Sequence, residues 1–383
     1  MARTHKLQAR YSLMNILVQI ARFAVGGLFI FSGLIKLNDP VGTQIKLEEY
    51  FDVFAADFAP IFEWLVPLAL FLSVFLSILE VVLGVAVLIQ YRMRTTTWAL
   101  LSMIVFFTFL TFYSAYFNKV TDCGCFGDAI VLTPWQSFFK DIILLVLIVI
   151  LFINRHRFRE VIPLRAAHIT VASVTVLCLF LGITAVRHLP FLDFRAYKVG
   201  ADIPRLMQPS EAMRYKYIMT KDGQEEEFEQ YPTDKSYEFK EMVLLNPEAQ
   251  PKITDYNVWN DEGDFTEATF QGNKLLVVMY DVQKTDRTSL LAIQELADRL
   301  PGEVEPIVLT SSGTAIYDEF RHEYQLALPY YFADATVLKT IIRSNPGLVL
   351  LHNGRVRGKW HYHDVPTTEE VMSLLGQGQQ VSR

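Results

Sequence analysis

Cys123 and Cys125 stand one glycine apart in TDCGCFGD (Thr121–Asp128), and they are two of only three cysteines in 383 residues. A bridge across one intervening residue closes a smaller ring than the common two-residue spacing, so it should be strained and oxidising. Gly124 supplies the backbone freedom that closure requires. Such a pair suits giving oxidising equivalents to a client, or passing electrons onward to a quinone. The competing reading is that it only shapes its loop. Metal binding with Asp122 and Asp128 is the weakest option, because two cysteines one residue apart lack the usual zinc spacing.

Other chemistry-bearing residues lie in apolar stretches. Lys140 and Asp141 follow the cysteines by a few turns and would tune the thiols, since a nearby cation favours thiolate, or snorkel to the interface. Arg22 and Glu80 are ionisable groups deep in apolar runs, where an unpaired charge is costly, and they are expected to form an intramembrane ion pair. Cys178 sits among Val, Leu and Phe and reads as a small hydrophobe. His361 and His363 in KWHYHD read as surface residues of a terminal hairpin, and the Glu225–Glu229 charge run as a solvated strand face.

The elements that must position these groups divide the chain in two. The composition is 51% hydrophobic and the mean hydropathy is +0.24, too apolar for a wholly soluble protein. Five runs are long enough to cross a bilayer: Asn15–Leu37, Leu65–Ile89, Thr97–Phe117, Trp135–Ile153 and Ile169–Val186. The first ends in SGLIKLNDP, not in a small-residue cleavage site, so it is taken as retained. Arg3, Lys6, Arg10, Arg92, Arg94, Arg155, Arg157, Arg159 and Arg165 fall on one side, against Lys36, Lys46 and Lys119 on the other. The basic bias places the N-terminus in the cytoplasm and sends the cysteine loop and everything after Arg187 to the far, oxidising side.

Residues 188–383 carry 20 Lys+Arg against 30 Asp+Glu, an acidic balance that argues against nucleic acid as a partner. A hairpin is expected over Tyr215–Met219 and Glu225–Tyr231 around KDGQ. From Ile253 the pattern becomes two short strands around Asp261–Gly263, strand Lys274–Tyr280, helix Ser289–Leu300, strand Glu305–Leu309 and helix Ala315–Tyr324. Strands Leu348–Leu351 and Arg355–His361 around HNGR, then helix Thr368–Leu375, complete a βαβ unit with a terminal hairpin.

Two resemblances follow from these motifs. RFAVGGLFIFSGLIKLNDP, Glu80 in LEVVLGVAVL and TDCGCFGD make residues 14–153 similar to DoxX-like membrane proteins, and more specifically to the methylamine-utilisation protein MauE family. That resemblance implies a four-helix bundle with a redox role toward exported proteins, although no methylamine pathway can be read from the chain. Ile253–Leu375 resembles a periplasmic TlpA-type thioredoxin-like domain through the strand LLVVMYD and the Asn345–Pro346 step, which in that family is cis and abuts a client groove. Where its active-site cysteines would fall the chain reads DVQKTDRTS, so this domain cannot exchange disulfides.

The expected architecture is a polytopic α-helical inner-membrane protein: a DoxX/MauE-like bundle over residues 1–160 and a fifth transmembrane helix over 161–190. A periplasmic linker with a hairpin over 191–252 and an α/β thioredoxin-like domain over 253–383 follow. The expected function is thiol–disulfide handling for exported envelope proteins. Cys123 and Cys125 would be the redox pair, Pro346 would border the client groove, and a quinone is a candidate acceptor. The alternative is a non-enzymatic membrane scaffold with a structural bridge.

Overall fold

A computed structural model describes residues 2–120, 124–221 and 223–376, with side chains from residue 15 onward. The chain divides into two compact units, Met1–Phe194 and Arg195–Arg383.

The first unit is helical: α1 (Ala2–Asn38), α2 (Pro40–Asp57), a 3-10 stretch (Pro60–Leu68) leading into α3 (Ala69–Leu88), α4 (Met93–Phe117), α5 (Pro134–Ile153) and α6 (Leu164–Arg187). Five of these segments are long and apolar enough to cross a membrane: Asn15–Asn38, Pro60–Leu88, Met93–Phe117, Pro134–Ile153 and Leu164–Arg187. The chain is a multi-pass membrane protein. Large side chains such as Phe23, Phe75, Phe109, Ile143 and Phe180 are exposed on its outer face, where lipid and not water is the compatible solvent.

The helices α1 and α3 lie against each other closely enough to need glycine at the crossing. A Cβ on Gly33 would stand 2.7 Å from the Ser77 carbonyl oxygen, and one on Gly84 would stand 2.8 Å from the Gly26 carbonyl oxygen. Helix α6 joins the bundle against α1 and α3, where it buries Cys178 with Leu37 and Val81.

Helix α2 is an addition to the expected elements. Pro40 stands at its first position, and the Asp39 side chain accepts from the Gly42 amide at 2.8 Å. Both are ordinary ways of starting a helix. Leu47, Tyr50, Phe51 and Phe54 then bury one stripe at helical spacing. Ser73 of α3 donates to the Pro40 carbonyl at 2.7 Å and fastens this start to the bundle.

The second unit is an α/β sheet domain. It opens with α7 (Ile203–Leu206) and a small antiparallel sheet of β1 (Tyr215–Lys221), β2 (Gln224–Phe228) and β3 (Glu238–Leu244), in the order β2-β1-β3. The hairpin was expected and the third strand was not. After β4 (Trp259–Asn260) and β5 (Gly263–Asp264) come β6 (Asn273–Met279), α8 (Leu290–Arg299), β7 (Val304–Thr310), α9 (Thr314–Glu323) and β8 (Tyr330–Phe332). The unit closes with α10 (Ala335–Ile341), β9 (Gly347–His352), β10 (Arg355–His361) and α11 (Thr368–Gly376).

Its seven-stranded sheet has the order β10-β9-β6-β7-β8-β4-β5, with β6 parallel to β7 and antiparallel to β9. Leu275, Val277 and Met279 of the central strand meet Ile293 of α8, Tyr317 of α9 and Val371 of α11 in one core. Turn chemistry sets the last hairpin. Asn353 at φ 48° and Gly354 at φ 74° occupy the left-handed region. A two-residue turn between antiparallel strands demands that conformation at both positions.

Candidate functional site

The loop between α4 and α5 carries the cysteines, and its two ends are firmly made. Asn118 caps α4 in the left-handed conformation and its amide donates to the Ser114 carbonyl at 3.0 Å. At the other end Thr133 and Gln136 form a reciprocal capping box ahead of Pro134, the first residue of α5. Residues 121–123, and therefore Cys123, lie outside the described residues.

From Gly124 the path is explicit. Gly124 has φ +64° and Gly127 has φ +50°, and the Gly127 amide donates to the Gly124 carbonyl at 3.0 Å to close a tight turn around Cys125 and Phe126. These two positive φ values are what the glycines of CGCFG provide. Phe126 is buried, 5.6 Å from the Phe31 ring, so the turn leans into the bundle.

Beneath this turn the bundle interior is charged. Glu80 of α3, 2% exposed, receives a hydrogen bond from Lys36 Nζ at 2.5 Å and another from the Ser32 hydroxyl at 2.7 Å. The same Ser32 oxygen lies 3.0 Å from the Cys125 carbonyl oxygen. Asp141 of α5, 1% exposed, pairs with Lys140 at 2.9 Å and accepts from Thr111 at 3.0 Å. Lys140 Nζ also stands 5.0 Å above the Phe126 ring, and Lys36 Nζ 4.8 Å from that of Phe107. Lys46 and Tyr50 reach the same place from α2.

All these side chains, together with Cys125, line a cavity of about 80 Å³ whose remaining walls are mostly apolar. That is room for a few waters or one small group. Three lysines and two carboxylates therefore stand around this cavity, with Lys36 paired to Glu80, Lys140 to Asp141 and Lys46 to Glu49.

Several expectations change here. Glu80 pairs with Lys36 and not with Arg22. Arg22 precedes Lys36 by fourteen residues on α1. That spacing is about 21 Å along the axis, at a rise of about 1.5 Å per residue. Its guanidinium instead lies beside the Gln90 side-chain amide, which in turn lies beside the Arg159 carbonyl. Lys140 and Asp141 do stand by the cysteine loop, and their groups point into the cavity and not away to an interface.

Pro346 is buried, the Asn345–Pro346 bond is cis as expected, and the Asn345 carbonyl accepts from the Asp286 amide at 2.9 Å. The Asn345 side chain donates to the Asp281 carbonyl at 2.7 Å and accepts from Thr285 at 3.1 Å. The segment where redox cysteines would fall is thus bonded to the residue before the proline. His361 is also buried and not a surface residue, its ring 4.9 Å from that of His363.

Sequence reasoning missed Ser32, Lys46, Tyr50 and Thr111 as residues lining the cavity with Cys125, and it counted Lys36 only as a loop charge. Ser32 and Lys36 are four apart on one helix and so share a face, a signal that was available. At the edge of the unit Asp57 accepts from Lys119 and Tyr113, which hold its carboxyl below the usual carboxylate range.

Residues 14–154 match the family described as methylamine utilisation protein MauE. The match covers most of α1, all of α2 to α5 and the cysteine loop, and it stops before α6. No curated protein matches the chain.

Proposed function

We propose that this protein handles thiols and disulfides of exported proteins at the outer face of the inner membrane, with Cys123 and Cys125 as its redox pair. The observation that carries the reading is the setting of Cys125: it lines a cavity with Lys36, Lys46, Lys140, Glu80 and Asp141. A bridge that only shaped a loop would need no buried charges beneath it, since buried ions cost more than apolar packing of the same volume.

Chemically, a client dithiol gives up two electrons and two hydrogens to the bridge. One S–S bond breaks in the loop and one forms in the client, through a mixed disulfide. Cys125 is the attacking thiol of the reduced state, because it stands among ammonium groups, whereas Asp122 beside Cys123 disfavours a thiolate there. The excess of basic residues on the opposite loops supports placing this face outside.

The second unit is best understood as thioredoxin-like, supported by the order β10-β9-β6-β7 and the cis Asn345–Pro346 bond. It holds no cysteine. Its share is therefore recognition and not exchange, through a surface other than the self-bonded segment at Pro346.

The deciding experiment compares Cys123→Ser and Cys125→Ser on non-reducing gels from whole cells, together with reduction of the wild-type bridge by mild dithiothreitol. Cys123→Ser should trap a covalent client adduct and Cys125→Ser far less. No adduct from either variant, with a bridge that resists the reductant, would leave the scaffold reading in its place.

A further inference from the structure

The small sheet of the second unit ends in two edges of different character. At one edge β2 presents Glu225, Glu226 and Glu227, and charged side chains of this kind discourage a further strand. At the other edge β3 pairs with β1 alone, and no backbone bond among the described residues occupies its outer side. Every residue from Glu238 to Val243 is exposed. An open row of amides and carbonyls is a template for one more strand.

The register shows what such a strand should carry. Phe239 stands opposite Met219, and Met242 stands opposite Tyr217, whose other neighbour is Phe228, so these side chains share one face. Phe239 is 54% exposed and Met242 48%, which leaves an apolar patch open to water. On the opposite face Glu241 lies across Ile218 from Glu227, and Glu238 lies across Thr220 from Glu225. Glu225 and Glu227 are paired with Lys240 and Lys216, whereas Glu238 and Glu241 form no ion pair among the described residues.

We propose that the free edge of β3 docks an extended segment of another polypeptide, apolar on one face and basic on the other, which adds to the small sheet as a fourth strand. Main-chain bonds give such pairing its hold, and alternate side chains give it selectivity. Charge decides between occupants. From Tyr215 to Leu244 the chain holds 4 Lys against 8 Asp+Glu. A second copy of this sheet or an anionic lipid surface is repelled, where a segment carrying lysine or arginine is drawn in. The inference deepens the proposed function by naming the surface through which the cysteine-free unit recognises a client. It rests on that reading for its purpose, while the pairing itself requires no thiol.

The test is fluorescence anisotropy of a labelled seven-residue peptide alternating lysine and valine, the length of β3, titrated with the full-length protein in phosphatidylcholine nanodiscs. This peptide should bind. The same peptide with every amide N-methylated keeps its charge and loses its donors, and it should not bind. A peptide alternating glutamate and valine should not bind either.

On the protein, Glu241→Lys should weaken binding about fivefold, the upper worth of one cross-strand charge pair, and Phe239→Ser should do the same. Glu303→Lys, an equal change of charge at an exposed turn of the same unit, should leave binding as it was. Failure of the wild type to bind, equal binding of the N-methylated peptide, or equal losses in Glu241→Lys and Glu303→Lys each overturn the proposal. So does a wild type that ignores the peptide and forms a dimer lost in Phe239→Ser, for then a second copy is the occupant. The peptide arms use unaltered protein, so they decide even if a variant does not fold.

The double variant Cys123→Ser/Cys125→Ser separates the two ideas. It should bind the peptide as the wild type does, so a bridge inert to dithiothreitol would refute the thiol reading and leave the docking edge standing. Binding lost with the cysteines would place the peptide at their loop and overturn the docking at β3.

Discussion

Replacing Lys36 by Met should be among the most damaging single changes in the membrane unit. Glu80 is 2% exposed and Lys36 8% exposed, and their charged atoms stand 2.5 Å apart. Removing the lysine leaves a carboxylate buried among helices with Ser32 as its remaining neutral donor, and breaking a buried pair this way costs about 3–5 kcal/mol. Glu80→Leu alone should cost a comparable amount, by stranding the ammonium. The double replacement removes both charges and fills the space with apolar atoms, which is often neutral or better, so it should recover at least ~2 kcal/mol of the summed loss.

The assay is reversible unfolding of the purified full-length protein in mixed micelles titrated with sodium dodecyl sulfate, followed by circular dichroism, at all four corners of the cycle. The same cycle with Arg22→Leu in place of Lys36→Met should be additive, because Arg22 precedes Lys36 by fourteen positions and so stands several helical turns away from the pair. Additivity within ~0.5 kcal/mol for Lys36 and Glu80 would refute the pairing, and coupling between Arg22 and Glu80 would restore the partner that spacing alone suggested.

Four further outcomes are expected. Gly33→Ala puts a Cβ 2.7 Å from the Ser77 carbonyl oxygen. In the same unfolding assay that overpacking should cost ~1–3 kcal/mol. At Gly27 an added Cβ meets nothing within 4 Å, so Gly27→Ala should be neutral or stabilising by up to about 1 kcal/mol. A membrane-permeant maleimide should label Cys125 after reduction but not Cys178, which is 2% exposed, until the bundle unfolds. Burial pushes the Tyr256 phenol up from 10.0 to about 12, so the folded state favours its neutral form. Stability from this group is intact below pH 10.0 and lost as pH rises toward about 12. Tyr256→Phe should therefore flatten that alkaline decline in chemical denaturation at a series of pH values.

What the chain disclosed in advance was whatever depends on a local pattern. The apolar runs, the freedom that Gly124 gives the cysteine loop and the alternation ending in the HNGR hairpin are each written in a few consecutive residues. The partner of Glu80 was not, because it depends on how far α1 slides along α3, which is set by Gly33 and Gly84 fitting under backbone atoms of the other helix.

The approach of Tyr50 to Ser114, at 2.7 Å, was equally out of reach, since α2 was not among the expected helices. Its Asp39-Pro40 start and its Leu47, Tyr50, Phe51, Phe54 stripe were visible, but a short amphipathic stripe carries far less signal than the long apolar runs on either side of it. The strand β3 escaped because most of its residues are exposed, leaving no alternation of burial to read.

The caps at Asn118 and Thr133 also set how far the thiols can travel. Cys125 is seven residues from one anchor and eight from the other. A chain of that length drawn fully taut spans only about 25 Å, at roughly 3.3–3.6 Å per residue. The turn is therefore a short leash, and its reach ends within a shallow layer above the bundle. A cysteine folded into the middle of a large partner could not be met there. Whatever meets Cys125 must therefore come to the bundle surface within that distance, because the loop cannot extend further toward it.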